Sequence, residues 1–536
     1  MVAAGHPLAA IAALRILEGK GNAVDAGVAA GFALNVLQPD MANLGGVAPI
    51  LIRMADGRTT TIAGVGRWPK LATLQAVAAA GGGRIPEGPQ RWVTPAAVDS
   101  WLLALRRYGT MSAADILSPA IELARDGFAM HYFLQSNLAE NAERLRGWPG
   151  AAETYLPGGS VPATGDILRQ PRLAATLEHL AAAERKARGK REAGVIAARD
   201  AFYKGEIAAE IGRFAESVGS FLRVEDLHDF AVEELPAVSV TYRGQTVFAC
   251  GPWSQGPAVL QMLRIAERFD LKRMTVADRT HVLVEAAKAS LADRNRFYGD
   301  PDVVNPPLER LISAGHGAEH ARRIELTRAA NLTDQSSPVG LGGPDTTYAC
   351  VVDRMGNAFS ATPSDSTMLI SPIAPSLGFG ISDRGLQASL DPRDPNHVAP
   401  GKRPRLTPNP GLVVGEDFVM PYGTPGGEVQ TNAMLQMLVN HFDLGLDLQA
   451  AVEAPRWATT AVPATEDPHP CEPMGLKLEA PLMAEIGDDL RRRGHAISEW
   501  PRHAALAGGV CAVKRHGDGR LSAGADPRRM SYAVGW

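Results

Sequence analysis

The sequence predicts an α+β fold, with helices concentrated early and hairpins late. Three observations carry this expectation. Residues 7–37, most of 95–230 and two blocks within 258–297 read as helices. After residue 345, short apolar runs separated by tight-turn residues replace them. No strand–helix–strand alternation is visible, so layers of helix and antiparallel sheet are expected rather than a doubly wound parallel sheet.

Taken in order, the first helix spans residues 8–18 and ends at Gly19-Lys20-Gly21, a C-cap signal. Asn22 is the natural N-cap for a second helix over 23–37, whose Ala, Val, Gly and Leu suit close packing on a sheet. Strands are expected at 49–53 and 59–63 around Ala55-Asp56-Gly57. The basic run 184–192 reads as a solvated helix end or loop. Strands follow at 238–242 and 245–249, then helices at 258–269 and 279–297. Later hairpins are expected at 353–357, 414–419 and 515–521, with helices near 432–442 and 480–493.

The 536 residues suffice for a large core, and 45% hydrophobic with 21% charged residues is an ordinary globular composition. A net charge of −4 gives no polyanion-binding signature, so nucleic acid is not an expected partner. Cys250, Cys350, Cys471 and Cys511 are widely spaced with no CxxC pair, which predicts free thiols rather than a disulfide framework. The histidines and cysteines show no zinc-ligand spacing and no phosphate-binding glycine fingerprint follows a strand, so no metal or organic cofactor is expected. No apolar run reaches membrane-spanning length, and the first residues lack a basic signal-peptide region. A cytoplasmic location is therefore favoured, with no membrane partner.

The most informative stretch is Asp345-Thr346-Thr347-Tyr348-Ala349-Cys350-Val351-Val352-Asp353. It follows a loop containing Gly340, Gly342, Gly343 and Pro344 and precedes the turn Met355-Gly356-Asn357. This segment resembles the processing site of γ-glutamyltransferases, which are N-terminal-nucleophile hydrolases. Further blocks agree, in the family's order: Gly21-Asn22-Ala23-Val24-Asp25-Ala26; Gln38-Pro39 with Leu44-Gly45-Gly46; Arg107-Tyr108-Gly109-Thr110-Met111; Ala292-Asp293-Arg294 with Gly299-Asp300-Pro301; Gly401-Lys402-Arg403-Pro404; Pro425-Gly426-Gly427; and Ala525-Asp526-Pro527-Arg528-Arg529.

The resemblance implies a four-layer αββα sandwich and self-cleavage between Asp345 and Thr346. The products would be a large subunit of residues 1–345 and a small one of 346–536, intertwined as one domain. Whether two processed pairs form a homodimer stays open. The chemistry explains the cut: a threonine hydroxyl needs an adjacent base, and an α-amino group, with a reference pKa of about 7.7–8.0, is partly neutral near physiological pH. Thr346 would then hold nucleophile and base in one residue and cleave small amides through an acyl-enzyme.

By the same resemblance Ser364 orients the nucleophile, while Gly426 and Gly427 form the oxyanion hole. Backbone N–H groups there can approach a tetrahedral intermediate unobstructed. Substrate contacts are expected from Arg384, Arg67, Gln387, Thr407, Ser366 and Tyr422. The family's acidic ammonium-binding position reads Gln387, and a cation, Arg384, stands three residues earlier. That swap favours an acyl part with an anionic end and no α-ammonium. Glutaryl-amide, oxamate-like and cephalosporin-acylase-like substrates fit this description. Loss of Arg384 is expected to spare self-cleavage. A true γ-glutamyltransferase or glutathione hydrolase is the alternative, and an uncleaved, non-catalytic binding protein a second one.

Overall fold

The computed structural model describes residues 1–332, 345–365, 369 and 371–536. Two sheets lie at the centre. One has seven strands in the order Tyr532–Val534, Val2–Ala4, Ala349–Val352, Ala358–Ala361, Ile50–Arg53, Thr59–Ile62 and Glu234–Pro236. The other has six: Leu521–Ala525, Cys511–His516, Phe418–Gly423, Gly411–Val414, Gln245–Ala249 and Val238–Tyr242. Every neighbouring pair in both sheets is antiparallel.

The sheets face each other across a thin core of Leu51, Tyr348, Cys350 and Val352 from one and Leu412, Cys511 and Val513 from the other. Helices cover each outer face. Pro7–Glu18, Ala23–Leu37, Ala97–Tyr108 and Ala113–Asp126 lie over the first sheet, and Gly256–Ala266, Val276–Phe297 and Val429–Phe442 over the second. The result is the expected helix–sheet–sheet–helix sandwich. Segments on both sides of Asp345–Thr346 contribute strands to both sheets. All four cysteines are buried, and none forms a disulfide. No helix among the described residues is long and apolar enough to cross a membrane.

Local chemistry explains why the sequence blocks form these elements. Asn22 caps the helix Ala23–Leu37: its side chain accepts from Val24 N and Asp25 N, while Asp25 accepts from Asn22 N, a reciprocal capping box. The Asp25 carboxylate also accepts from Thr110 N and Met111 N at 2.8 and 3.1 Å, joining the Gly21–Ala26 block to the Arg107–Met111 block. Asp300 joins two more, accepting from Arg403 N at 2.8 Å and pairing with its guanidinium at 3.2 Å.

Two expectations need correction. Residues 475–500 form a strand–helix–strand unit, with Gly475–Glu479 parallel to Ala496–Trp500 around the helix Ala480–Arg492. A single crossover leaves no repeating pattern in the sequence, so the parallel pair was hidden. In the basic run, Glu184 is buried rather than solvated, because its carboxylate accepts from Ala113 N and Ala114 N at 2.6 Å and caps the helix they begin.

Close packing of the helix Ala23–Leu37 on the first sheet depends on glycine. A Cβ at Gly27 would lie 2.1 Å from the Phe359 ring. Gly27→Leu should therefore destabilise the protein by at least about 1–3 kcal/mol through overpacking, read as a lower thermal midpoint. An unchanged midpoint would contradict this contact.

Candidate active site

Asp345, Thr346 and Thr347 lead into the central strand Ala349–Val352 and are all buried. Three hydrogen bonds from two loops hold the two threonines. Thr346 N donates to Met41 O at 3.1 Å, Thr347 N to Pro363 O at 3.0 Å, and Thr347 Oγ1 to Gln38 Oε1 at 2.6 Å. The Gln38–Gly46 loop can come this close because its glycines lack side chains: a Cβ at Gly46 would meet Asp365 Cβ at 2.7 Å. Thr346 has φ of +73°, the left-handed region. For a β-branched residue this is a strained conformation, of a kind that typically costs about 1–3 kcal/mol and gathers at reactive sites.

Hydrogen-bond direction around Thr346 follows from the donors available. Arg384 can only donate, and its Nη2 donates to Asp345 Oδ2 and Ser364 Oγ, both at 2.6 Å. Ser364 Oγ is 2.6 Å from Thr346 Oγ, so the serine hydrogen is free to point to the threonine oxygen. Thr346 Oγ in turn donates to Asp345 Oδ1. A directed relay therefore runs from guanidinium through Ser364 and Thr346 to the Asp345 carboxylate. Arg384 and Ser364 are both within 2% of full burial. Burial opposes the Arg384 charge, but Asp345, Asp365, Asp383 and Glu466 outweigh it and raise its pKa. Because Arg384 holds the carboxylate next to the expected scissile bond, its loss is expected to impair self-cleavage, against the expectation from sequence.

Beyond Arg384, the Gln387 amide is fully engaged. Its Nε2 donates to Thr407 Oγ1 at 3.0 Å and Glu466 Oε1 at 3.1 Å, and its Oε1 accepts from Thr407 N at 2.9 Å. Gln387 and Thr407 thus bond each other, with Gln387 in the same short helical turn, Arg384–Gln387, as Arg384. Glu466 was missed. It sits in the loop Thr465-Glu466-Asp467-Pro468, 79 positions from Gln387, with no motif to flag it. Burial, and then the charge of Asp345, push its pKa up to about 7.

Gly426 and Gly427 have φ of +123° and +53°, a backbone that favours glycine. Their carbonyls are taken: Gly426 O accepts from Val429 N at 3.0 Å, and Gly427 O from Gln255 Nε2 at 3.0 Å. Gln255 also donates to Thr407 O at 2.8 Å, tying this turn to the Gln387–Thr407 pair. The two N–H groups find no acceptor among the described residues. Arg529 was quoted in a sequence block without a role, yet its Nη1 lies 3.4 Å from both Asp345 O and Thr346 O. The first is the carbonyl of the expected scissile bond.

Two expected substrate contacts are placed elsewhere. The Arg67 guanidinium is held by Glu233 and Asp302 at 2.8 Å and by Gly401 O at 2.9 Å, within the Asp300–Arg403 cluster. The Tyr422 ring is buried in the core between the second sheet and its helices, so close to Gly411 that a Cβ there would lie 2.5 Å from Tyr422 Cζ. On an alternating strand this side chain fell on the core face. Ser366 lies outside the described residues.

Residues 9–536 match the family model described as gamma-glutamyltranspeptidase. The chain belongs to this family. It is 33% identical to the glutathione hydrolase-like YwrD proenzyme of Bacillus subtilis over 100% of this chain and 98% of that protein. It is 32% identical to the acylase ACY 1 proenzyme of Pseudomonas sp. strain SE83, over 98% and 91%. The crystal structure of cephalosporin acylase from Bacillus halodurans superposes with a TM-score of 0.87 at 29% identity, covering 100% of this chain and 95% of that one. The sandwich is thus shared with solved structures of family relatives.

Glu466 gives the site a pH signature. Its folded pKa is raised above the ordinary 4.5, so protonation favours the folded chain. Stability should fall as pH rises from about 4.5 through about 7, by up to about 3 kcal/mol. Thermal midpoints of uncleaved Thr346→Ala should decline across this window, and those of Thr346→Ala/Glu466→Gln should decline less. Parallel curves for the two would show that Glu466 is not the group responsible.

Proposed function

We propose that the chain is the precursor of an N-terminal-threonine amidohydrolase acting on small amides whose acyl part carries a carboxylate. The observation that carries this reading is the buried Arg384, whose guanidinium contacts both Ser364 and the carboxylate beside Thr346. The relatives named glutathione hydrolase-like proenzyme and acylase proenzyme support amide cleavage after processing.

In the precursor, Asp345 takes the Thr346 hydroxyl proton and Oγ attacks the Asp345 carbonyl carbon. Arg529 Nη1, near that carbonyl oxygen, offsets its developing negative charge. As the C–N bond breaks, the proton passes to the leaving nitrogen, which becomes the Thr346 α-amino group. Water then hydrolyses the ester to leave pieces of 345 and 191 residues. In the processed enzyme the free amine takes the role of base. Thr346 Oγ attacks the substrate carbonyl, the Gly426 and Gly427 N–H groups receive the oxyanion, the amine product leaves with the proton, and water releases the acid.

Asp345 also suggests the shape of the acyl group. Its carboxylate stands two carbons from the carbonyl that Thr346 attacks, as in the monoamide of a four-carbon dicarboxylic acid. Removing one partner of a buried ion pair costs about 3–5 kcal/mol, so once Asp345 withdraws, an incoming carboxylate restores the balance at Arg384. Glu466 supports a second reading. An acid beside Gln387 could face the α-ammonium of a γ-glutamyl group, the counter-ion that the sequence alone placed out of reach.

Thr346→Ala should give one full-length, inactive chain on a denaturing gel, and Asp345→Asn should slow the cut by about 10²–10⁴-fold, the usual contribution of a positioned base. Cleavage of Thr346→Ala at the same bond, or unimpaired cleavage of Asp345→Asn, would overturn this chemistry. Among amides of one amine, short dicarboxylic acyl groups should be turned over faster than neutral acyl groups of equal length and than γ-glutamyl. Processed Arg384→Lys should lose about ten- to hundred-fold in kcat/KM on the anionic amides alone. Preference for γ-glutamyl amides would select the second reading, and equal loss on neutral amides would remove Arg384 from acyl recognition.

A further inference from the structure

We propose that Asp293, His316 and His320 form a binding site for a divalent transition-metal ion of the zinc type, clasping the helix Ala314–Arg323 to the helix Val276–Phe297. His316 and His320 are four residues apart on one helix, so their rings project from the same face. Asp293 reaches them from the second helix. This corrects the expectation that the histidines show no zinc-ligand spacing: His316 and His320 stand four residues apart, and the third member lies 23 positions from His316.

The geometry suits one ion. His316 Nε2 and His320 Nε2 are 3.1 Å apart, and Asp293 Oδ2 lies 2.6 Å from the first and 3.4 Å from the second. These separations put the three atoms on a circle of radius about 1.8 Å. A single point about 1 Å out of their plane is therefore about 2.0–2.1 Å from all three, the usual zinc–nitrogen and zinc–oxygen lengths. For a tetrahedral ion the Asp293–His316 separation would open from 2.6 Å toward about 3.3 Å, leaving a fourth position for water. The three side chains are 15%, 9% and 17% exposed, enough for an ion to enter.

In the ion-free protein one tautomer satisfies these atoms: His316 Nε2–H donates to Asp293 Oδ2, and His320 Nε2 turns its lone pair toward the same N–H. Taking that single proton off His316 leaves three lone pairs facing one point, which a cation can accept. The surroundings orient the ligands as outer-shell groups do: Gln261 Nε2 donates to Asp293 Oδ2 at 3.2 Å, Tyr298 OH donates to Gln261 Oε1 at 2.9 Å, and Ser313 caps the helix by accepting from His316 N. The other histidine cluster resolves without an ion. There His281 Nε2 donates to Glu325 O, its Nδ1 accepts from His495, and Glu285 already pairs with Lys288 at 2.7 Å.

The site performs no chemical step in amide cleavage. Its role would be mechanical: Asp293 precedes Arg294, which donates to Gln255 Oε1 at 3.0 Å, and Gln255 holds Gly427 O.

The test uses the untagged full chain, stripped with a chelator, dialysed, and loaded with one equivalent of Zn²⁺ or Co²⁺. About one ion per chain should survive gel filtration, the thermal midpoint should rise by a few degrees, and Co²⁺ should show the visible absorption of a four-coordinate ion. His316→Gln/His320→Gln should lose all three signals while keeping the wild-type circular dichroism. His281→Gln should keep them. Single His320→Gln carries the same test if the double variant does not fold. No retained ion and no thermal shift in the wild type, or retention undiminished by loss of both histidines, would overturn the proposal.

Discussion

Arrangement of the whole centre depends on how one buried guanidinium is neutralised. Arg384 has no solvent to screen it, so it needs an anion at contact distance, and in the uncleaved chain Asp345 supplies one at 2.6 Å. Arg384 sets the direction of the side-chain relay through Ser364 and Thr346. In the proposed mechanism, Asp345 also gives Thr346 a proton acceptor before any free α-amino group exists. In the proposed processed state, an acyl carboxylate takes the place that Asp345 leaves. On that proposal, self-cleavage and substrate choice are two uses of one electrostatic constraint.

The sandwich serves this constraint by bringing distant segments together at one buried point. From the end of one buried helix Met41 holds the Thr346 backbone and Gln38 the Thr347 hydroxyl, Ser364 follows the neighbouring strand, and Arg529 arrives from near the C-terminus. Strain at Thr346 persists because these contacts over-determine its position. Glycines where Gly46 and Gly27 stand let loop and helix approach the strands more closely than any side chain would allow.

Much of this was legible where the determinants are local. The N-cap at Asn22 needs only neighbouring residues, the hairpins only their turns, and Thr346 and Ser364, which meet at 2.6 Å, lie on either side of one expected hairpin. What escaped depends on through-space partners. Arg67 looked like an anion receptor until Glu233 and Asp302 were seen to saturate it. Tyr422 required knowing which face of its strand meets the helices. Glu466 restores an acid to a pocket that seemed to have lost one, from a loop with no distinguishing pattern. The parallel strand pair around the helix Ala480–Arg492 was hidden because one crossover makes no periodicity.

The most direct measurement of the central claim is intact mass spectrometry of the purified chain, acid-quenched during turnover of a short dicarboxylic monoamide. A fragment of residues 346–536 carrying the acyl mass on Thr346, beside an unmodified fragment of residues 1–345, is the expected result. A chain that remains whole, or an acyl group found on any other residue, would contradict it.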